Sequence, residues 1–187
     1  MARPMAIIFI GPPGSGKGTQ ANEVLRRFNG LHHFNTGRVI EGALYSERNK
    51  DNPTIQGERE RFEKGLLCSS DWVTRIVDEG VHRIALEGKG IIFSGSPRTR
   101  EEAEILIPML ADIYGAKNVV VFHILLSDDV SVFRNTHRRV CKNCGTPVPW
   151  SKETEEQAFC ALCGGELVTR TLDTEEAMHT RTQVYRK

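Results

Sequence analysis

Unbroken runs of apolar residues mark the strands that this sequence predicts. The three clearest runs occupy residues 5–10, 91–93 and 119–126, and a shorter strand is predicted at residues 33–34. A strand buried on both faces of a parallel sheet shows such a continuous pattern, whereas a half-exposed strand alternates apolar and polar positions. The runs therefore predict a parallel sheet with both faces covered.

Apolar residues recur at helical spacing between these runs, as expected for amphipathic helices. The predicted helices cover residues 16–28, 38–48, 55–64, 70–86, 100–114 and 128–137. Alternating strands and helices indicate an α/β fold. Residues 140–168 break the alternation and are interpreted as an insertion. Capping-box spacing between Asp173 and Glu176 predicts one more helix after it.

A glycine-rich segment lies between the first predicted strand and the first predicted helix. Gly11 and the pair Gly16-Lys17 have the G-x-x-x-x-G-K spacing of a phosphate-binding loop, whose backbone N–H groups point at phosphate oxygens. The next residues are Gly18 and Thr19, so the hydroxyl that would meet Mg²⁺ is left open. An ordinary glycine turn is the alternative, but the flanking strand and helix favour phosphate binding.

Four of the five cysteines form two C-x-x-C pairs, and the fifth, Cys68, stands alone. The paired residues are Cys141, Cys144, Cys160 and Cys163. Their spacing matches that of a structural zinc site with four thiolate ligands. A redox dithiol pair and disulfides are the alternatives. Zinc is favoured because both pairs and the length of the intervening loop agree with it.

Composition narrows the class of protein further. The chain has 187 residues, of which 39% are hydrophobic and 26% charged, with a formal net charge of +1. These values are typical of a globular domain and argue against disorder and against broad wrapping by nucleic acid. No apolar run reaches the length of a membrane span, and the start of the chain lacks a signal-peptide pattern. A cytoplasmic protein is expected.

Four segments, in this order, resemble the adenylate kinase family. They are the loop GPPGSGKGTQ at residues 11–20, Asn35-Thr36-Gly37, the GSPRT segment at residues 95–99, and Arg134-x-x-x-Arg138-Arg139 followed by the cysteines. The resemblance implies a three-layer P-loop core at residues 1–34, 69–136 and 174–187. It also implies a helical insert for the nucleoside monophosphate at 35–68 and a zinc-containing lid at 137–173.

The resemblance implies transfer of the γ-phosphoryl group of Mg-ATP to a nucleoside monophosphate, and it assigns residues to that reaction. The residues expected to bind ATP are Gly14, Ser15, Gly16, Lys17, Gly18, Thr19, Arg134 and Arg138. The residues expected to bind the monophosphate are Thr36, Gly95, Arg98, Glu102, Arg170 and Arg181. The residues expected to act in the transfer are Lys17, Arg98, Arg138, Arg170 and Arg181. ATP and a nucleoside monophosphate are the expected partners of a monomer, with no nucleic acid and no membrane.

Four residues depart from the family pattern. Leu172 stands where the family has an acidic residue after Arg170, while Asp173 remains. Glu41 stands where the family has an arginine for the monophosphate, and Ser94 stands where it has an aspartate near magnesium. Glu102 replaces a glutamine that reads adenine. A carboxylate only accepts hydrogen bonds, which suits guanine, but Thr99 and Glu102 also have capping-box spacing, and both interpretations remain open. The family also continues past the last predicted helix, so an exposed sheet edge is expected where this sequence stops.

The family resemblance makes AMP the leading acceptor, and the departures leave three alternatives. The acceptor could be GMP or a pyrimidine monophosphate, which Glu41 and Glu102 would explain. The chain could bind nucleotides with little or no transfer, which Ser94 would explain. A zinc ribbon that binds nucleic acid ranks last, because the net charge is small.

Overall fold

A computed structural model describes residues 4–171 and 173–186, so Leu172, and Lys187 where the sequence stops, lie outside the described residues. Its elements, in chain order, are β1 (Ala6–Ile10), α1 (Lys17–Arg27), β2 (Leu31–Phe34), α2 (Thr36–Leu44), α3 (Pro53–Glu63), α4 (Ser70–Leu86), β3 (Gly90–Phe93), α5 (Arg100–Tyr114), β4 (Val119–His123), α6 (Asp128–His137), β5 (Arg139–Cys141), β6 (Pro147–Val148), β7 (Leu167–Val168) and α7 (Glu175–Arg186). They fall into two compact units. The first contains residues 4–11 and 16–124, and the second contains residues 12–15 and 125–186.

The first unit is built on a four-stranded sheet with strand order β2-β3-β1-β4. All three strand pairs are parallel, and Ile8 of β1 lies opposite Phe93 of β3 and Val121 of β4. Parallel neighbours require crossover connections, which the intervening helices provide. The predicted α/β class with a parallel sheet is confirmed.

Side chains alternate between the two faces of the sheet, and helices cover both faces of its inner strands. The edge strand β4, predicted to be buried, is half exposed, with Val121 at 45% and Phe122 at 49%. On one face, Ala6, Ile8 and Phe93 are completely buried in a cluster shared with α2, α3, α4 and α5. On the other face, Ile7 and Phe9 pack in a smaller cluster with α1. The unit therefore has three layers: one helix, the sheet, and a layer of helices.

Two predicted elements end earlier than the apolar pattern indicates. The run at 119–126 predicted a longer strand, but β4 ends at His123, opposite Ile10, where β1 also ends and the ladder has no further partner. The helix predicted over residues 38–48 runs instead from Thr36 to Leu44. It begins early because the side chain of Asn35 accepts a hydrogen bond from the backbone N–H of Arg38, which caps the helix.

The second unit contains a small antiparallel sheet of order β6-β5-β7, built within the segment interpreted as an insertion. Its interior is small and consists of Cys141, Cys160 and Leu167, with Val148 against them. The predicted last helix is confirmed as α7. However, Asp173 does not act as its cap: Thr174 Oγ1 accepts from the N–H of Ala177.

A substitution at Gly80 tests how closely α4 packs against Phe34 of the sheet. A Cβ atom at Gly80 would collide with the buried ring of Phe34, whereas one at Gly57, in the exposed part of α3, would meet nothing. We expect Gly80→Ala to lower the free energy of unfolding by about 1–3 kcal/mol through overpacking. Gly57→Ala should raise it by up to about 1 kcal/mol through helix propensity. Urea denaturation of both variants checks this, and equal effects would contradict the packing.

Candidate nucleotide-binding site

The glycine-rich loop begins where β1 ends. Gly14 and Gly16 adopt φ values of +71° and +94°, which side chains with a Cβ rarely tolerate. Gly16 is the N-cap of α1, and the first turn of that helix carries no acidic residue. The backbone N–H groups at the start of α1 and the positive end of the helix dipole therefore favour an anion here.

Lys17 is the first residue of α1. Its Nζ donates a hydrogen bond of 2.7 Å to the carbonyl oxygen of Gly11, which holds the ammonium group back toward the start of the loop. Gly18 and Thr19 follow on the first turn of the same helix. The segment thus combines backbone N–H groups with a mobile point charge, the combination that binds phosphate groups.

Within the second unit, helix α6 supports the remaining part of the loop. Ser131 Oγ donates a 2.6 Å hydrogen bond to the carbonyl oxygen of Pro13. Asn135 packs against Gly14 and donates from Nδ2 to the carbonyl oxygen of Ser131. Ser131 and Asn135 are both fully buried. Sequence reasoning missed the support that Ser131 and Asn135 give to the loop. No local pattern links Ser131 to Pro13, which lies 118 positions away.

The segment after β3 holds Arg98 and Glu102 together. Arg98 Nε donates to the carbonyl oxygen of Gly95 at 2.8 Å, and its backbone N–H donates to Glu102 Oε2 at 2.7 Å. The N–H of Glu102 donates in turn to Thr99 Oγ1. Burial raises the pKa of Glu102, and the hydrogen bond from Arg98 opposes that rise. The Glu102 carboxylate is thus engaged in shaping this turn, while the Arg98 side chain is exposed.

Thr36 lies against the same turn. It is only 1% exposed, and its hydroxyl has no hydrogen-bond partner among the described residues. A Cβ atom at Gly95 would press on Thr36 and on the N–H of Gly37, so the glycine permits this close approach. An unsatisfied buried hydroxyl costs free energy unless a ligand supplies a partner. Thr36, Gly95 and Arg98 therefore form one polar cluster in the first unit.

The candidate arginines of the second unit are placed differently from one another. Arg138 donates from Nε and Nη2 to the two oxygens of Asp173, at 2.7 and 3.0 Å. Arg181 on α7 approaches the same carboxylate at 4.0 Å. Arg134 on α6 and Arg170 after β7 are exposed. Asp173 is 4% exposed and orients Arg138, a role that sequence reasoning also missed.

The four paired cysteines converge on one point in the second unit. Their sulfur atoms all lie within 4.8 Å of one another, with Cys141 and Cys163 at 3.4 Å and Cys144 and Cys160 at 3.7 Å. Four sulfurs bound tetrahedrally at the usual Zn–S distance are about 3.8 Å apart. The donor set fits zinc.

The structure describes no helix that is both long and apolar enough to cross a membrane. The individual roles of the candidate residues in binding and transfer stay predictions.

A glycine-rich loop that joins a central parallel strand to a helix, with lysine at the helix start, defines the class of P-loop nucleotide-binding proteins. The family model described as adenylate kinase matches residues 9–187. The adenylate kinase of Archaeoglobus fulgidus is 35% identical over 184 residues, which cover 98% of this chain and 82% of the relative. The adenylate kinase of Caldicellulosiruptor bescii is 34% identical, covering 97% and 81%.

The chain belongs to the adenylate kinase family. It is a phosphotransferase of the nucleoside monophosphate kinase type, as the resemblance of its motifs implied.

The buried ion pair of Asp173 gives a stability test within the second unit. Asp173→Asn removes the charge that faces Arg138, and we expect the free energy of unfolding to fall by about 2–3 kcal/mol. The control is Glu166→Gln, which breaks the exposed pair with Lys142 and should change it by less than about 0.5 kcal/mol. Urea denaturation measures both, and similar losses in the two variants would contradict the assignment.

Proposed function

We propose that the protein transfers the γ-phosphoryl group of Mg-ATP to AMP, giving two molecules of ADP. The observation that carries this proposal is the polar cluster of Thr36, Gly95 and Arg98 at the carboxyl end of β3. It follows the strand next to β1, and ligands of open α/β sheets bind beyond the carboxyl ends of the strands. The exposed guanidinium of Arg98 suits the phosphate of the acceptor, and the buried hydroxyl of Thr36 lacks a partner that a ligand can supply.

Phosphoryl transfer needs positioning and neutralisation of charge, and no protein nucleophile. Lys17 and the backbone N–H groups of residues 14–19 are proposed to hold the ATP phosphates. Arg134 is proposed to lie against the ATP base. Arg138, Arg170 and Arg181 are proposed to bind the phosphates during transfer, because a guanidinium stays charged and binds phosphate oxygens in pairs. Mg²⁺ enters as part of the Mg-ATP substrate.

We also propose the division of the chain into core, insert and lid that the family resemblance implies. Residues 35–68 would form the insert that binds the monophosphate, residues 137–173 the lid, and the rest the core. A closing lid would exclude water and limit hydrolysis of ATP. The protein would act as a cytoplasmic monomer on ATP and a nucleoside monophosphate.

The contacts of Glu102 support AMP over GMP as the acceptor. Its Oε2 atom accepts from the backbone N–H of Arg98, and the residue is 6% exposed. A carboxylate that reads guanine would need to face the ligand with its lone pairs free. Glu102 therefore serves the turn that presents Arg98. Half of the capping box is formed, since the N–H of Glu102 donates to Thr99 Oγ1, whereas the Glu102 carboxylate accepts from Arg98.

A single zinc ion held by the four cysteines is proposed to stabilise the small sheet of the second unit. Each C-x-x-C segment closes a tight turn, in which the N–H of Gly145 or Gly164 donates to the carbonyl of the first cysteine. Four thiolates leave no open coordination position, so the metal would be structural.

Diphosphate formation from Mg-ATP with AMP, GMP, CMP and UMP in parallel tests the acceptor. We expect turnover with AMP to exceed that with the others. Arg98→Ala should lower kcat/KM by at least about a hundredfold, because a charged contact to phosphate is lost. Arg100→Ala is the matched control, since Arg100 is exposed and forms an ion pair with Glu104 on the same helix. Preference for GMP would overturn the assigned role of Glu102, and tight binding of ATP without turnover would overturn the transfer reaction.

Metal analysis tests the zinc proposal. We expect about one zinc per chain, its loss in Cys160→Ser, and its retention in Cys68→Ala, because Cys68 lies in the core of the first unit. After chelation, the second unit should unfold at a lower temperature than the first, since metal binding contributes folding free energy. Unchanged thermal unfolding after verified removal of the metal would contradict a structural site.

A further inference from the structure

Three polar side chains of the first unit form a hydrogen-bonded chain that the proposed transfer between nucleotides does not use. Ser94 Oγ lies 2.7 Å from Nε2 of His33, and Nδ1 of the same ring lies 3.1 Å from Oδ1 of Asn22. An amide oxygen only accepts hydrogen bonds, so this arrangement assigns the ring proton to Nδ1. Nε2 then accepts from the Ser94 hydroxyl. A hydroxyl that faces a base, itself oriented by a third group, is the signature of an activated nucleophile.

The sheet register places these three hydrogen-bonded side chains beside the start of the glycine-rich loop. Phe93 pairs with Ile8, so Ser94 is level with Phe9, two residues before Gly11. Alternation along β3 puts Ser94 on the same face as Ile92, and Ile92 packs in the cluster with α1. Helix α1 carries both Lys17 at its start and Asn22 in its second turn. The Ser94 hydroxyl therefore lies at the carboxyl edge of the sheet, on the side of the helix that begins at the loop.

The surroundings of His33 favour its action as a base, and those of Ser94 favour a phosphate on its hydroxyl. Burial, the positive charge of Arg38 and the neighbouring ring of His32 lower the pKa of His33, so its imidazole is neutral near pH 7 and its Nε2 can accept a proton. Ser94 is only partly buried, which leaves its oxygen within reach of a ligand. Arg38, whose charge acts on His33, would also favour a negatively charged phosphate on the neighbouring Ser94.

We propose that Ser94 is an internal phosphoryl acceptor, which a nucleoside triphosphate bound at the glycine-rich loop phosphorylates, with His33 as base and Asn22 as positioning residue. This inference rests on the proposed function, because it requires ATP at that loop. Ser94 Oγ forms a bond to the γ-phosphorus while the bond from that phosphorus to the β–γ bridging oxygen breaks. The nucleoside diphosphate leaves with that electron pair, and the hydroxyl proton passes to His33 Nε2 and then to solvent.

The test incubates the full chain with Mg-ATP in the absence of any monophosphate and follows its intact mass. We expect an increase of about 80 Da, one phosphoryl group, mapped by fragmentation to Ser94 and stable in acid. Ser94→Ala should abolish it. Ser127→Ala is the matched control and should leave it unchanged, because Ser127 is exposed and makes no side-chain capping bond.

Two further variants separate the roles within the hydrogen-bonded chain. His33→Gln should slow phosphorylation by about a hundredfold or more, because it removes the base. Asn22→Ala should slow it by about tenfold, since the ring loses only the group that orients it. Asn22 is exposed, so this variant keeps the fold even if His33→Gln does not. Phosphorylation at an unchanged rate in both variants would overturn the assignment of His33 as base.

Separate measurement of ATP binding and of diphosphate formation from AMP distinguishes the two proposals. A chain that binds ATP and converts AMP but gains no mass would overturn this inference alone. A phosphate on another residue, or an acid-labile phosphate on His33, would overturn it as well. A chain that binds no ATP would remove the proposed function and this inference together.

Discussion

The pairing of β1 with parallel neighbours on both sides is the constraint on which the rest of the first unit depends. Ala6 and Ile8 are completely buried, and β3 and β4 flank the strand along its length. Because β1 is enclosed on both sides, the chain leaves the sheet at the carboxyl end of this strand. The glycine-rich loop therefore begins at that end of the sheet. Because β3 is parallel to β1, the segment that directly follows β3, with Ser94 and Arg98, lies at the same carboxyl end of the sheet.

Carboxylates hold arginines in place in both units. In the first unit, Glu102 binds the backbone of Arg98 and so shapes the turn from which the guanidinium projects. In the second, Asp173 binds the guanidinium of Arg138 directly. A long, flexible side chain loses conformational entropy when it binds phosphate, and an arginine that is already oriented loses less. Under the proposed function, the acidic residues would act on phosphate recognition through the arginines that they orient.

The strands, most helices and the cysteine cluster could be predicted from the sequence because each depends on a local pattern. Apolar runs mark buried strands, and the spacing of the two C-x-x-C pairs predicts convergence of four sulfurs. The end of β4 could not be predicted, since it is set by the end of β1 in the ladder. The contact of Ser131 with Pro13 joins residues 118 positions apart, and that of His33 with Ser94 spans 61. Only the tertiary structure reveals such partners.

Ser94 shows why the loss of an acidic residue need not mean only the loss of a function. Compared with the aspartate that the family resemblance led us to expect, a hydroxyl brings no charge to a cation. It does carry a proton that a neighbouring base can remove, which an ionised carboxylate does not. The 2.7 Å contact with His33 supplies such a base, and Asn22 holds the ring that provides it. If this end of the sheet binds phosphate as proposed, the substitution exchanges an electrostatic group for a hydroxyl with the chemistry of a nucleophile.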